Sequence, residues 1–321
     1  MSKHRRTGEL EIIDWLRKTN RAPLFPWVLG VGDDAAILSP QPDRDLVFTT
    51  DMVLEDACFL LDQAGPKRVG RKALAVNLSD LAAMGASPVG CLVSLALPSH
   101  MNAEFAKDIM SGILDLANQF DCPVTGGDTN TWKGALAVSI TAIGEVPRGK
   151  AIRRDGAKPG DILMVTGPLG GSILGHHLGF TPRLDVAGVI RESQASAMID
   201  ISDGLSLDLW RLCEASGCGA VLEPEKIPIT PAAHLEMDLR NAGLRPATPL
   251  EHALTDGEDF ELLFAIQSEN ALQLLSGWPN FIPRPFVIGK CSEQEGLYLQ
   301  QRTGLSPLKP RGWEHSFENQ E

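Results

Sequence analysis

The spacing of apolar positions changes period several times along the chain. Leu46 to Val53 is a short apolar run that predicts a strand. The stretch opened by Gly65-Pro66 predicts a helix to Met84, because Val69, Ala73, Val76 and Ala83 recur at helical spacing with Leu74, Leu78 and Leu81, and Gly85 ends it. Val89 to Leu97 predicts the next strand, Asn102 to Phe120 a helix, and Ala135 to Gly144 a strand rich in β-branched residues. Helices and strands mixed in this order predict an α/β (α+β) fold.

Pro147-Arg148-Gly149 and the turn-rich Gly156-Ala157-Lys158-Pro159-Gly160 mark a boundary, giving an N-terminal domain over 1–148 and a C-terminal α/β domain over 149–321. In the second, Asp161 to Thr166 predicts a strand and Gly167 to Gly171 a tight turn. Leu205 to Ala215 predicts a helix capped by Ser202-Asp203-Gly204, and Phe260 to Ile266 another strand. No short repeat suggests a solenoid.

Length supports that division, since 321 residues exceed what one core usually serves. A net charge of −12 argues against nucleic acid or anionic membrane as a partner, both of which attract basic surfaces. The most apolar run, Val89 to Pro98, is too short to span a bilayer, and the N-terminal stretch is amphipathic rather than a signal core. Six cysteines without zinc or C-x-x-C spacing predict reduced thiols and a cytoplasmic protein.

The acids carry the chemistry. Gly30-Val31-Gly32-Asp33-Asp34-Ala35 satisfies a dinucleotide fingerprint in form, but the flanking prolines deny it the strand and helix that such a turn joins. Its paired acids would repel a phosphate unless a divalent cation lay between them; otherwise they form an Asp-Asp turn capped by its own backbone. Thr49-Thr50-Asp51 ends a strand, and Asn77 and Asp80 share one helix face. An acid in that apolar helix needs a cation, a base such as Lys72, or exposure. Gly126-Gly127-Asp128-Thr129 sets an acid on a double-glycine turn after a strand, and Asp200-Ile201-Ser202-Asp203 sets Asp200 and Ser202 to one side of an extended segment. Acid-bearing turns beside Gly, Ser and Thr supply the hard oxygen ligands that Mg²⁺ takes. There is no P-loop and no protein-kinase motif set. Arg154 is a candidate phosphate clamp or a solvated surface residue, and the adjacent His176 and His177 point too far apart to be a metal pair.

Taken in order, Gly30 to Ala36, Thr49-Thr50-Asp51, Lys72 to Ala86 with its Asn-Leu-Ser-Asp core, Gly126 to Thr129, Gly156 to Asp161, Ile201 to Leu205 and Gly257 to Leu262 resemble the thiamine-monophosphate kinases. These belong with aminoimidazole ribonucleotide synthetase and selenophosphate synthetase. The resemblance implies a two-domain fold like that of aminoimidazole ribonucleotide synthetase and a homodimer paired through first-domain sheets. It implies ATP-dependent phosphorylation of thiamine monophosphate to thiamine diphosphate by direct in-line transfer, with several Mg²⁺ ions gathered between acids of both domains. By position, Asp34, Thr49, Thr50, Asp51, Asp80, Asp128, Asp200 and Asp203 would hold Mg²⁺, and Gly127, Asp128, Arg154 and Ser202 would contact ATP. Asp80, Asp128, Arg154 and Asp203 would carry catalysis, and Cys58, Glu258 and Trp313 would lie at the acceptor.

Two positions depart from the family pattern. Cys58 stands in Glu55-Asp56-Ala57-Cys58-Phe59 where a substrate-facing His is usual, and Asn130-Thr131-Trp132-Lys133 follows the glycine motif where an Arg is usual. Both bear on the acceptor pocket. The competing readings are another ATP-dependent synthetase of the superfamily and a catalytically silent nucleotide-binding paralogue. Selenophosphate chemistry would call for a reactive Cys near the start, and none precedes Cys58.

Overall fold

In the computed structural model, which describes residues 9–20, 25–31 and 35–314, the chain divides into two units. One is Met1–Leu81 with Ala86–Gly149, the other Ala82–Gly85 with Lys150–Glu321. The first holds, in order, α1 (Glu9–Thr19), β1 (Trp27–Leu29), β2 (Ile37–Leu38), β3 (Arg44–Leu54), α2 (Leu61–Ala64), α3 (Pro66–Ala83), β4 (Ser87–Pro98), α4 (Ala103–Gln119), β5 (Val124–Trp132) and β6 (Ala137–Pro147). Residues Ala82 and Ala83, at the end of α3, group with the second unit.

The main sheet of the first unit has the order β3-β6-β4-β5, antiparallel except for the parallel pair β4 and β5. Alternate residues face opposite sides of a strand. One face buries Val53, Val93, Leu95, Val138, Ile140 and Ala142. The other leaves Phe48 (61% exposed), Met52 (57%) and Leu54 (40%) on β3 open. Helices α3 and α4 approach each other at two glycines. A Cβ on Gly70 would stand 2.0 Å from the Ile109 carbonyl oxygen, and one on Gly112 would stand 1.9 Å from that of Lys67. The Asn102 side chain caps α4 by accepting from the Phe105 amide at 3.0 Å.

The second unit holds β7 (Ile162–Val165), α5 (His176–Gly179), α6 (Leu184–Glu192), β8 (Ala197–Asp200), α7 (Leu205–Ser216), β9 (Gly219–Leu222), α8 (Glu236–Asn241), α9 (Pro249–Thr255), β10 (Leu262–Ile266), α10 (Ser268–Ser276), β11 (Phe286–Ser292), β12 (Leu297–Gln301) and β13 (Gly304–Leu308). Its seven-stranded mixed sheet runs β13-β12-β9-β11-β7-β10-β8. Both faces of the central strands are covered. Leu163, Val165, Ile199, Leu263 and Ala265 pack with α7 and α9 on one side. Met164, Met198, Leu262, Phe264 and Ile266 pack with α6 and α10 on the other. That two-sided burial explains why β10, Leu-Leu-Phe-Ala-Ile, is an unbroken apolar run.

Three local expectations change. The Gly126-Gly127-Asp128 segment is not a turn but part of β5, which runs through it to Trp132 alongside β4. The strand expected from Phe260 begins at Leu262, because Glu258 (φ 53°) and Phe260 (φ 51°) take left-handed backbone and end the extended geometry. Helix α7 is not capped by Ser202 or Asp203: its N-cap is Gly204, with no side-chain cap bond. Instead Asp208, one turn inside, accepts from the amides of Asp203 (2.9 Å) and Gly204 (3.1 Å).

Candidate functional site

In the first unit the site starts from the alternation of β3. Thr49 and Asp51 share the face on which α3 presents Asp80, and Thr49 Oγ1 donates to Asp80 Oδ2 at 2.5 Å. Asp51 lies within hydrogen-bond reach of Asp80, and its carboxyl is pushed up to about 7, first by burial and then by the Asp80 charge. Two carboxylates held this close resist ionising together unless a cation compensates them. Thr50 points to the opposite face, where its Oγ1 donates to the Ile140 carbonyl (3.2 Å) and accepts from Thr141 (3.1 Å). Its side chain is therefore not with the acid pair.

Sheet register carries the same row across the unit, since Asp51 pairs with Ile140, Ile140 with Val93, and Val93 with Gly127. Gly127 has φ 154°, and a Cβ there would stand 1.9 Å from the Val93 carbonyl oxygen, so only glycine lets β5 run this close to β4. Asp128, next along, is exposed and accepts from Asn130 Nδ2 at 2.7 Å. Beside them is a slot of about 70 Å³ lined by Ile12, Leu16, Val93, Val124, Gly127 and Asp128. Cys58 is half-buried in the turn after β3, and its carbonyl accepts from the buried Lys72 ammonium at 2.7 Å. Asn77, on α3 one turn before Asp80, is fully buried with its amide bonded to the Ala73 carbonyl (2.9 Å) and its Oδ1 without a hydrogen-bond partner. Asp34 lies outside the described residues.

In the second unit the segment Ile201–Asp203 is a hub of backbone bonds. Its carbonyls accept from Phe260 N (2.8 Å), Glu258 N (2.7 Å) and Trp313 N (2.9 Å). This brings Ser202, Asp203, Glu258 and Trp313 together, although they span more than a hundred positions of sequence. Asp200 ends β8 and is buried, Glu258 is half-buried, and the Trp313 ring is 56% exposed. Asp203 and the buried Asp208 both take hydrogen bonds from Arg211. Burial pushes the Asp208 carboxyl up to about 6 against that pairing. Arg154 is exposed, and its carbonyl accepts from Ser216 Oγ at 2.7 Å.

Behind Glu258 is a set of residues that sequence reasoning missed. Gly170 N donates to Asp259 Oδ1 and Gly171 N to Asp256 Oδ2, each at 2.9 Å. Ser172 Oγ donates to the Gly257 carbonyl at 2.5 Å, and His176 Nε2 lies 3.0 Å from the Asp259 carbonyl. Asp259 is 2% exposed, its Oδ2 has no partner, and burial pushes its carboxyl well above the usual range. Phe260 stacks on Phe180 with centroids 4.0 Å apart. Glu261 accepts from Arg183 through both oxygens and from Thr166 Oγ1. The sequence signals were the Gly257-to-Leu262 string of the family resemblance and the density of acids in Asp256-Gly257-Glu258-Asp259, which by itself reads equally as a solvated turn.

Among the described residues no group of three or more Cys, His, Asp and Glu is gathered as a metal would need. The Asp51–Asp80 pair nonetheless fits Mg²⁺. It offers hard oxygens, adjacent and under mutual repulsion, and Mg²⁺ takes few protein ligands and completes its shell with phosphate and water.

The N-terminal domain of AIR synthase related proteins matches residues 32–146. With two α/β units and the acid pair on the first, this defines an enzyme of the AIR synthase-like fold. A thiamine-monophosphate kinase of Rhodopirellula baltica is 41% identical over 318 residues, covering 96% of this chain and 97% of that one. The crystal structure of thiamine-monophosphate kinase from Stenotrophomonas maltophilia K279a is similar at TM-score 0.75 and 32% identity, over 91% of this chain and 96% of that one. AaThiL complexed with AMPPCP and TMP is similar at TM-score 0.73 and 30% identity, over 98% of this chain and 100% of that one. The chain belongs to the thiamine-monophosphate kinase family.

Proposed function

We propose that this enzyme transfers the γ-phosphoryl group of ATP in line to thiamine monophosphate, giving ADP and thiamine diphosphate. The observation that carries the reading is the Asp51–Asp80 pair, joined to Thr49, in a chain that matches a kinase of this family along 96% of its length. A phosphate acceptor is already anionic near neutral pH and needs no strong general base. The difficulty is bringing two anions together.

Thr49, Asp51, Asp80 and Asp128 in the first unit, and Asp200 and Asp203 in the second, are the residues that would hold Mg²⁺. Bound Mg²⁺ supplies charge neutralisation and alignment for phosphoryl transfer. Thr49 fixes the rotamer of Asp80 through its hydroxyl. Gly127, its Cα bare, lets a phosphate approach the β5 backbone, and the exposed Arg154 guanidinium and Ser202 stand as further ATP contacts. Glu258 and Trp313, held by the same backbone hub, would face the acceptor. The open Phe48, Met52 and Leu54 face is where a second copy would pair, in a cytoplasmic homodimer.

The test is a coupled ADP assay with ATP, Mg²⁺ and a panel of acceptors, read alongside chromatography. Thiamine diphosphate should form from thiamine monophosphate and not from unphosphorylated thiamine. Absence of the diphosphate at high enzyme concentration would overturn the reading.

A further inference from the structure

The segment 256–260 is the one place among the described residues where two non-glycine positions two apart, Glu258 and Phe260, both take left-handed backbone. Such strain persists where the surroundings over-determine it, and it gathers where a side chain must be held in one direction. Here the surroundings can be named. Gly170 and Gly171 have φ 89° and 74°, and a Cβ on either would stand 2.7 Å from the backbone of Ala253 or Ala232–Ala233. This glycine turn meets the strained segment through side chains of both: Asp259 and Asp256 accept its amides, and Ser172 Oγ donates back to Gly257 O. His177 Nδ1 lies 2.9 Å from the Ser172 carbonyl and steadies the donor side. Phe260 is pinned by its stack on Phe180, and the Glu258 amide by Ser202 O.

We propose that Asp259 is a positioning residue for the acceptor: by bonding Gly170 it locks the left-handed turn that aims Glu258, so that the acceptor subsite is built before the acceptor arrives. The inference rests on the reading of Glu258 as an acceptor contact. Asp259 itself is buried and acts through the turn. Its Oδ1 needs only to accept one hydrogen bond, which an amide oxygen does as well. Burial first, and then the surrounding acids Asp256, Glu261 and Asp208, favour an uncharged group at this position against the Gly170 amide.

The experiment compares wild type, Asp259→Ala, Asp259→Asn and Ser172→Ala in steady-state kinetics with thiamine monophosphate and ATP varied separately. Amide hydrogen exchange at Gly170 and Gly171 is measured in each. In Asp259→Ala the KM for thiamine monophosphate should rise about tenfold or more while the KM for ATP moves less than about twofold. Asp259→Asn should restore both. Ser172→Ala, a milder cut in the same lock, should raise the same KM in the same direction, and it keeps the question open to measurement if Asp259→Ala does not fold. Exchange at Gly170 should quicken in Asp259→Ala and not in Asp259→Asn. Equal changes in both KM values would show general loosening and overturn the proposal. So would an unchanged acceptor KM in folded Asp259→Ala with quickened exchange. A wild-type enzyme inactive on thiamine monophosphate would instead sink the functional reading, while the exchange result would still report on the lock.

Discussion

Two acid groups among the described residues are built on opposite electrostatic terms. On the first unit, Asp51 and Asp80 stand side by side, so that burial and the neighbouring charge push Asp51 up to about 7. On the second, Asp203 and Asp208 share the Arg211 guanidinium, and Asp208 also takes two backbone amides. The first group stores repulsion that a divalent cation relieves. The second is largely compensated by the protein itself, so a cation at Asp203 would have to compete with Arg211. Stability and catalysis should therefore separate between the units: removing an acid of the first should cost turnover and little stability, and disturbing the second should cost stability.

The largest expected effect tests the first half of that contrast. Asp80→Asn should lower turnover on the order of 10²-fold or more, because it weakens a carboxylate proposed to hold Mg²⁺. Its thermal midpoint without Mg²⁺ should stay equal or rise, since a like-charge contact is lost. The Mg²⁺-induced rise in midpoint seen in wild type should shrink. Near-normal turnover with unchanged Mg²⁺ dependence would remove Asp80 from the site.

The second half is tested by ion pairs. Arg183→Ala leaves the buried Glu261 carboxylate with only Thr166 as partner, and should cost about 3 kcal/mol in denaturant unfolding. Arg211→Ala, at a pair about a third exposed on the Arg side, should cost less, about 1–2 kcal/mol. If both leave unfolding unchanged, the second unit's acids are not compensated as described.

A smaller effect concerns Cys58. A neutral thiol is a weak donor, so Cys58→His should lower the KM for thiamine monophosphate by roughly threefold to thirtyfold, corresponding to about 0.7–2 kcal/mol for one charged hydrogen bond. The KM for ATP should scarcely move. An unaltered acceptor KM would show that the Cys58 side chain does not face the substrate.

The smallest expected effect is a pH slope. The Asp259 carboxyl is raised in the folded chain by burial first, against the Gly170 amide, with Asp256, Glu261 and Asp208 adding to the rise. Above the ordinary carboxylate pKa the folded state then holds a proton that the unfolded state has lost, so this group's contribution to stability falls as pH rises. Asparagine does not titrate. The midpoint of Asp259→Asn relative to wild type should therefore increase from about pH 4 upward, and a flat difference would show that Asp259 is ionised in the fold.

Much of the frame was legible because it rests on local periodicity. The helical spacing of Val69 to Ala83, the strand runs at Leu46 and Val89, and the helix from Asn102 to Phe120 all follow from residue order, and each appears within a few residues of its expected bounds. The acid motifs were legible as candidates for the same reason: their chemistry lies in short strings. What residue order could not decide was which acids end as neighbours and which find a base. The same Asp-rich strings give an acid pair on β3 and α3 but an arginine-compensated pair at α7, because partners are set by sheet register and by side chains distant in sequence. The left-handed turn at Glu258 was equally hidden. The residue order reads as strand from Phe260 on, whereas the fold brings the glycine turn at 170–171, the Ser202 carbonyl and the Phe180 ring against a segment in which Glu258 and Phe260 take left-handed backbone.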